Sequence, residues 1–407
     1  MPLRFSWSLP IAAGLILLIT MGGRQTIGLF VAPLDEATGL GIVSISLAVA
    51  ISQFTWGLAQ PIFGALADRY GPGRMIAFGG LMLAAGYALT PFVRSEWQLI
   101  LVLGFVTAFG AGAGSFPILI ASVAQRIPPE RRSVSAGFVN AGGSLGQFVF
   151  APVVQAIISA SGWVTALYAL AAVSLFSLPL AWPLRRRKTA LTTVTLAAPP
   201  AMTLWAQLQE AARERSYWLL HLGFVTCGFH IAFLVTHLPG EVRLCGLPAS
   251  ISANSLAIIG LANVVGSIGV GWLGTRYRMK HLLFWLYLSR AVAVLLYLTA
   301  PKTEATFYVF AAVLGLTWLA TVPPTAGLVG KLFGVQYLAT LFGLTLLTHQ
   351  IGGFYGAWLG GLAVAYSGDY TWMWYADALL ATAAALVNLP IREAPVGRNA
   401  RLNAGNA

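Results

Sequence analysis

Residues 42–74 read Ile42-Val-Ser-Ile-Ser-Leu-Ala-Val-Ala-Ile-Ser-Gln-Phe-Thr-Trp-Gly-Leu-Ala-Gln-Pro-Ile-Phe-Gly-Ala-Leu-Ala-Asp-Arg-Tyr-Gly-Pro-Gly-Arg74. The stretch 42–66 carries no charge, and about 20 mostly apolar residues are enough for a helix to cross a bilayer. It therefore predicts a membrane span closed by a polar turn. The turn returns 207 residues later: Gly-Ala-Leu-Ala-Asp-Arg-Tyr at 64–70 becomes Gly-Trp-Leu-Gly-Thr-Arg-Tyr at 271–277. One offset also carries Pro117 onto Pro324, Gly146 onto Gly353 and Tyr168-Ala169 onto Tyr375-Ala376. Such self-similarity predicts a duplicated unit, chance matches in a Gly- and Ala-rich chain being the alternative.

Twelve stretches meet the same criterion: 9–33, 42–66, 75–93, 97–121, 134–158, 163–183, 216–239, 250–274, 281–300, 304–329, 338–365 and 371–390. The first lacks an A-x-A cleavage site and runs past Arg24 to Pro33, so it reads as a span rather than a signal peptide. The expected fold is an all-α membrane protein with 12 transmembrane helices in two pseudo-symmetric six-helix bundles. Residues 1–183 form one bundle, 184–215 a cytoplasmic linker, 216–391 the second bundle and 392–407 a cytoplasmic tail.

Composition agrees with that reading. Of 407 residues 58% are hydrophobic and 9% charged, against about 25% charged in an average soluble domain. A cytosolic enzyme, a secreted disulfide scaffold and a disordered regulator are excluded. Cys227 and Cys245 make no CxxC or metal spacing. The net charge of +12 comes from basic clusters between apolar runs, without a nucleic-acid-binding motif. With the N-terminus inside, nineteen Lys and Arg fall on the cytoplasmic side and three on the other. The positive-inside rule then puts both termini in the cytoplasm, and the cell (inner) membrane is the expected location.

The turn Gly64-Ala-Leu-Ala-Asp68-Arg69-Tyr-Gly71-Pro-Gly-Arg74 resembles the cytoplasmic signature of the major facilitator superfamily, and Thr275 replaces the acid in its second copy. A narrower likeness is to the monocarboxylate transporter branch. It rests on Arg24 before Gln-Thr-Ile-Gly-Leu-Phe, on Arg131-Arg132-Ser-Val-Ser-Ala-Gly137-Phe-Val-Asn-Ala141-Gly142, and on Trp318-Leu319-Ala-Thr321. The resemblance implies a carrier that rocks its two halves about a central site, with Asp68, Arg69 and Arg74 biasing the conformational switch. This chain departs from that branch in its eighth span, where the family's Asp and Arg would fall on Asn263 and Ser267.

Arg24 is the sharpest candidate. It lies about 10 residues, roughly 15 Å, from the outer end of its span. An arginine at a helix centre costs about 2.5–3.5 kcal/mol on insertion scales. Its planar fork suits a carboxylate; the alternative is a guanidinium tied to carbonyls or a neighbouring polar helix. Among twelve Asp and Glu only Asp377 falls inside a predicted span, Glu304 standing at the very first residue of another, so an anionic ligand is the natural partner. His230, Trp318, Thr321, Gln147 and His349 complete the candidate substrate-binding set, each with interior packing as its alternative. Arg290, mid-span in the ninth helix, is expected to pair with Asp377. Pro117 and Pro323-Pro324 are expected to bend their helices.

The function read from these residues is secondary active transport of a small organic anion, a monocarboxylate. A proton travels on the acid or on a histidine, and the sequence does not choose between them. The lipid bilayer is the surrounding partner, and a monomer is expected to suffice. No P-loop, catalytic constellation or metal-ligand spacing is present, so no ATP drive, catalytic residue, metal or cofactor is expected. The alternative is efflux of amphipathic or aromatic compounds by the same architecture.

Overall fold

The structure, a computed structural model, describes residues 7–128, 131–185 and 203–396, with the side chains of Asp68 and Ser133 outside it. The linker and tail expected at 184–215 and 392–407 therefore lie partly outside the described residues. Every regular element within them is helical.

Helices α1 (Ser8–Arg24) and α2 (Gly28–Thr38) form one apolar stretch bent by 41°. Helices α3 (Ile42–Tyr70) and α4 (Pro72–Leu89) are joined at Gly71, whose φ of 93° suits glycine. Pro72 then starts α4 without wasting an amide donor. Helix α5 (Glu96–Leu99) continues through a π-helical stretch, Ile100–Thr107, into α6 (Ala108–Ala113), and α7 (Phe116–Ala124) resumes after a break. Helix α8 (Arg132–Ser174) turns at Gly162, and α9 (Ser177–Leu180) follows. The second part comprises α10 (Leu204–Arg213), α11 (Arg215–Leu244), α12 (Ala249–Leu273), α13 (Met279–Thr299), α14 (Glu304–Gly315), α15 (Val322–Phe333), α16 (Leu338–Ser367) and α17 (Thr371–Asn388).

Seven helices among the described residues are long and apolar enough to cross a membrane, or eight with the bent α1–α2 pair. The expected twelve exceed this number. Helices α14 and α15 are separate, and α16 dilutes its apolar residues with glycines, threonines, His349 and Gln350. Large apolar side chains such as Phe78, Leu101, Val265, Trp285, Val309 and Leu379 point outward, while Gln60, Gln147, Asn263, Arg290 and Asp377 are buried. This is the inverse of a water-soluble surface and the arrangement a lipid solvent selects.

The main packing seams run between α3 and α16, α8 and α12, α1 and α8, and α11 and α16. Glycine makes them close. A Cβ at Gly228 of α11 would overlap the His349 carbonyl of α16, and one at Gly142 of α8 would meet the Gly14 backbone of α1. Small residues let membrane helices approach this closely, and dispersion and interhelical hydrogen bonds then hold them.

The prolines act differently from expectation. Pro117 and Pro323-Pro324 occupy the first turns of α7 and α15, after breaks at 114–115 and 316–321. Each proline opens a new helix instead of bending a continuous one, because the missing amide costs nothing in a first turn. Helix α11 also outruns its predicted span and passes Pro239, which brings Glu241 into the helix as a second buried acid beside Asp377.

Candidate functional site

Arg24 ends α1, where the chain turns before α2. Its Nη2 donates to Gln53 Oε1 of α3 at 2.5 Å, and its guanidinium carbon lies 4.2 Å from the Trp56 ring centroid. A guanidinium has five N–H donors. Among the described residues no carboxylate comes within ion-pairing distance of it. The remaining donors face a cavity whose free volume is about 20 Å3, little more than one water requires.

The walls of this cavity come from both parts of the chain. Arg24, Gln25, Gln53 and Trp56 stand on one side, with His349 and Gln350 of α16 on the other. Gln350 Nε2 donates to His349 Nδ1 at 2.6 Å, and that bond assigns the second histidine proton to Nε2. His349 Nε2, Gln25 Nε2 and Trp56 Nε1 are buried without partners. Phe116, Leu319 and Val322 close the space at the α6–α7 and α14–α15 breaks. Three broken helices thus converge on one unpaired cation. A larger vestibule, about 350 Å3, lies between α2 and the end of α11, lined by Glu36, Arg243, His237 and Tyr370 among others.

Of the predicted substrate-binding residues, the structure brings Arg24 and His349 to the cavity. His230, Trp318, Thr321 and Gln147 fall outside its lining. His230 Nδ1 is hydrogen-bonded to the Asp377 carboxylate, and its ring meets Trp318 edge-on with centroids 5.5 Å apart. Thr321 Oγ1 lies 3.4 Å from Cys227 Sγ, a free thiol. The Gln147 amide is buried without a partner, where α8 meets Gly260 of α12.

The expected Arg290–Asp377 pair is not formed. Arg290 Nη2 donates to the carbonyls of Thr317 and Trp318, both at 2.9 Å, and Asp377 takes His230 instead. The helix break at 316–321 explains this, because it strands carbonyls that a continuous helix would satisfy. His237 is likewise tied down: Nε2 donates to the Ala357 carbonyl at 2.6 Å.

At the eighth-span positions where the resemblance implies charge, the chain has a neutral network. Asn140 Nδ2 donates to Ser267 Oγ at 2.7 Å and to the Leu319 carbonyl at 3.0 Å, and Asn263 joins Ser144 Oγ to the Leu319 amide. Of the switch residues, the Asp68 side chain lies outside the described structure. Arg69 and Arg74 are exposed, and the Arg69 guanidinium sits 5.2 Å from the Tyr70 ring centroid.

Sequence reasoning missed Gln53 and Trp56, while His349-Gln350 was singled out as a pair and both residues line the cavity. The signal available was weak: Gln53 and Trp56 are one helical turn apart in an uncharged span.

A family model described as Major Facilitator Superfamily matches residues 13–357. Monocarboxylate transporter 13 of Rattus norvegicus is 26% identical over 397 residues, 95% of this chain and 89% of the relative. The oxalate:formate antiporter of Oxalobacter formigenes is 23% identical, covering 90% and 86% of the two chains. The crystal structure of the E. coli fucose:proton symporter is similar with a TM-score of 0.65 at 16% identity, covering 93% of this chain and 97% of that one. At that identity the likeness speaks for the fold. The protein is a multi-pass membrane protein.

Proposed function

This chain belongs to the Major Facilitator Superfamily of transporters, and we propose that it carries a small organic anion, a monocarboxylate, across the cell membrane by alternating access. The observation that carries the reading is Arg24: a half-buried guanidinium with no carboxylate within ion-pairing distance among the described residues, lining a small cavity between the two parts of the chain. Named relatives among monocarboxylate and oxalate:formate carriers support the same class.

In this reading residues 1–183 and 216–391 are two six-helix bundles of a monomer with twelve crossings, and 184–215 links them on the cytoplasmic side. Both termini face the cytoplasm. The carboxylate enters through the vestibule at α2 and α11, displaces Gln53 from Arg24 and takes up the fork in bidentate fashion. Gln350 and His349 close on it from α16. The α3–α16 and α8–α12 seams are where the bundles rock, and Asp68, Arg69 and Arg74 set the bias between states. A proton accompanies the anion.

The test is uptake of labelled lactate, pyruvate and acetate into proteoliposomes by wild type and Arg24→Gln. Wild-type uptake that disappears in the variant supports the reading; equal uptake by both overturns the role of Arg24. A second reading, efflux of amphipathic or aromatic compounds, draws on the apolar wall formed by Trp56, Phe116, Leu319 and Val322. Export of a hydrophobic dye with no carboxylate uptake would favour it.

A further inference from the structure

Behind the cavity wall lies a second ionisable cluster that the Arg24 site does not use. His230 of α11, Asp377 of α17 and Arg290 of α13 are fully buried there, beside Trp318. The His230–Asp377 pair is hydrogen-bonded, and Arg290 is close enough for its charge to act on His230. The other titratable groups around the cluster are Tyr287 of α13, Cys227 of α11 and His349 of α16. Glu241 lies further along α11, bonded by Tyr297. Helix α12 contributes no titratable side chain.

The cluster keeps spare hydrogen-bonding capacity: His230 Nε2, Asp377 Oδ1 and Arg290 Nε and Nη1 are all buried and unpartnered. The cluster also touches the helix break beside the cavity. Arg290 holds the Thr317 and Trp318 carbonyls inside the α14–α15 break, and the next residues of that break and helix, Leu319 and Val322, line the Arg24 cavity. His230 itself lies between the cavity-lining residues Gly228 and Ile231.

We propose that the His230–Asp377 pair is the proton-binding site of this carrier, filled together with the anion at Arg24; the inference rests on the anion-transport reading above. In the empty pair Asp377 is ionised, neutral His230 donates from Nδ1–H, and Nε2 is bare. One proton adds at Nε2, giving an imidazolium–carboxylate pair, and leaves from the same atom on the other side of the membrane. Joint filling makes transport electroneutral. The empty interior holds Arg24 with one positive charge and a neutral Arg290–Asp377–His230 cluster. Anion plus proton neutralises Arg24 and leaves one positive charge on the cluster, so empty and loaded carriers reorient with equal buried charge. An anion alone would leave the interior neutral and move one negative charge across the membrane potential in each cycle.

The experiment measures labelled lactate in proteoliposomes, with and without an inward proton gradient and in counterflow, for wild type, Asp377→Asn, His230→Gln and Asp377→Glu. The gradient accelerates wild-type uptake; Asp377→Asn and His230→Gln lose that acceleration while counterflow survives, and Asp377→Glu regains part of it. A merely structural pair would lose both modes together. In parallel, NMR of isotope-labelled histidines in detergent, with His230 assigned by its absence in His230→Gln, follows the ring between about pH 5 and 9. It titrates, and the titration moves in Asp377→Asn. Gradient stimulation intact in both neutral variants, wild-type uptake indifferent to the gradient, or a His230 signal that never titrates would each overturn the proposal. If wild type moves no carboxylate, the anion reading fails, and the histidine titration still decides the proton site.

Discussion

Arg24 and Arg290 are both guanidiniums sunk among apolar helices, and their surroundings differ in kind. Arg290 binds two carbonyls at 2.9 Å inside the α14–α15 break, with the Asp377–His230 pair beside it. Arg24 has a single hydrogen bond, to a neutral glutamine, and an aromatic face beneath it. The first is anchored to main-chain oxygens away from the cavity, and the second lines the cavity. Neither forms an ion pair among the described residues, so burial and a missing carboxylate do not by themselves mark a binding arginine; a place on a cavity wall is what separates Arg24 from Arg290.

Substitutions can break or sharpen that contrast. Arg290→Gln takes the donor away from the buried Thr317 and Trp318 carbonyls, a loss of about 1–3 kcal/mol of stability for each acceptor left unsatisfied. Thermal unfolding in detergent reads it, and an unchanged midpoint would erase the distinction between the two arginines. Gln53→Glu supplies the counter-ion that Arg24 lacks. A charge-assisted bond of about 1.5–3 kcal/mol then competes with the substrate, which lowers carboxylate affinity roughly 10- to 150-fold. Arg24→Gln gives a loss in the same range with no loss of thermal stability, because removing an unpaired charge from the membrane interior also removes its desolvation cost. Substrate-dependent uptake and unfolding midpoints, measured on the same preparations, check both variants. Trp56→Ala is the mildest: the cation–π contact holding the fork in place is worth about 0.5–2 kcal/mol, so KM rises by a few-fold to about 30-fold.

Arg24 was legible in the sequence because a charge in an uncharged run stands out against the cost of burying it. The Gly-x-x-x-x-Arg-Tyr turn at 64–70 and again at 271–277 likewise predicts a duplicated unit. Of the other cavity residues, His349 was also singled out; the glutamines could not be sorted. Gln25, Gln53, Gln60, Gln147 and Gln350 all interrupt apolar stretches, and which of them faces the site depends on the rotation of each helix. Gln25, Gln53 and Gln350 reach it, while Gln60 and Gln147 are buried elsewhere. The partner of Asp377 was misread because the carbonyls freed at the tenth-helix break, those of Thr317 and Trp318, were not expected to meet Arg290. An unbroken tenth helix would have kept its carbonyls to itself and left Arg290 free for the acid. His230 and Asp377, 147 positions apart, meet only through the packing of α11 on α17.

The proline-led starts of α7 and α15 have one more consequence. Both helices begin at the cavity, at Phe116 and Val322. Aligned peptide dipoles give each such end the equivalent of roughly half an elementary positive charge. The duplicated pair Pro117 and Pro324 thereby turns two main-chain fields toward the guanidinium, and no side-chain substitution removes them. In the anion-transport reading, preference for the sign of the cargo is then written into the backbone, and Arg24 sets how tightly that cargo is held.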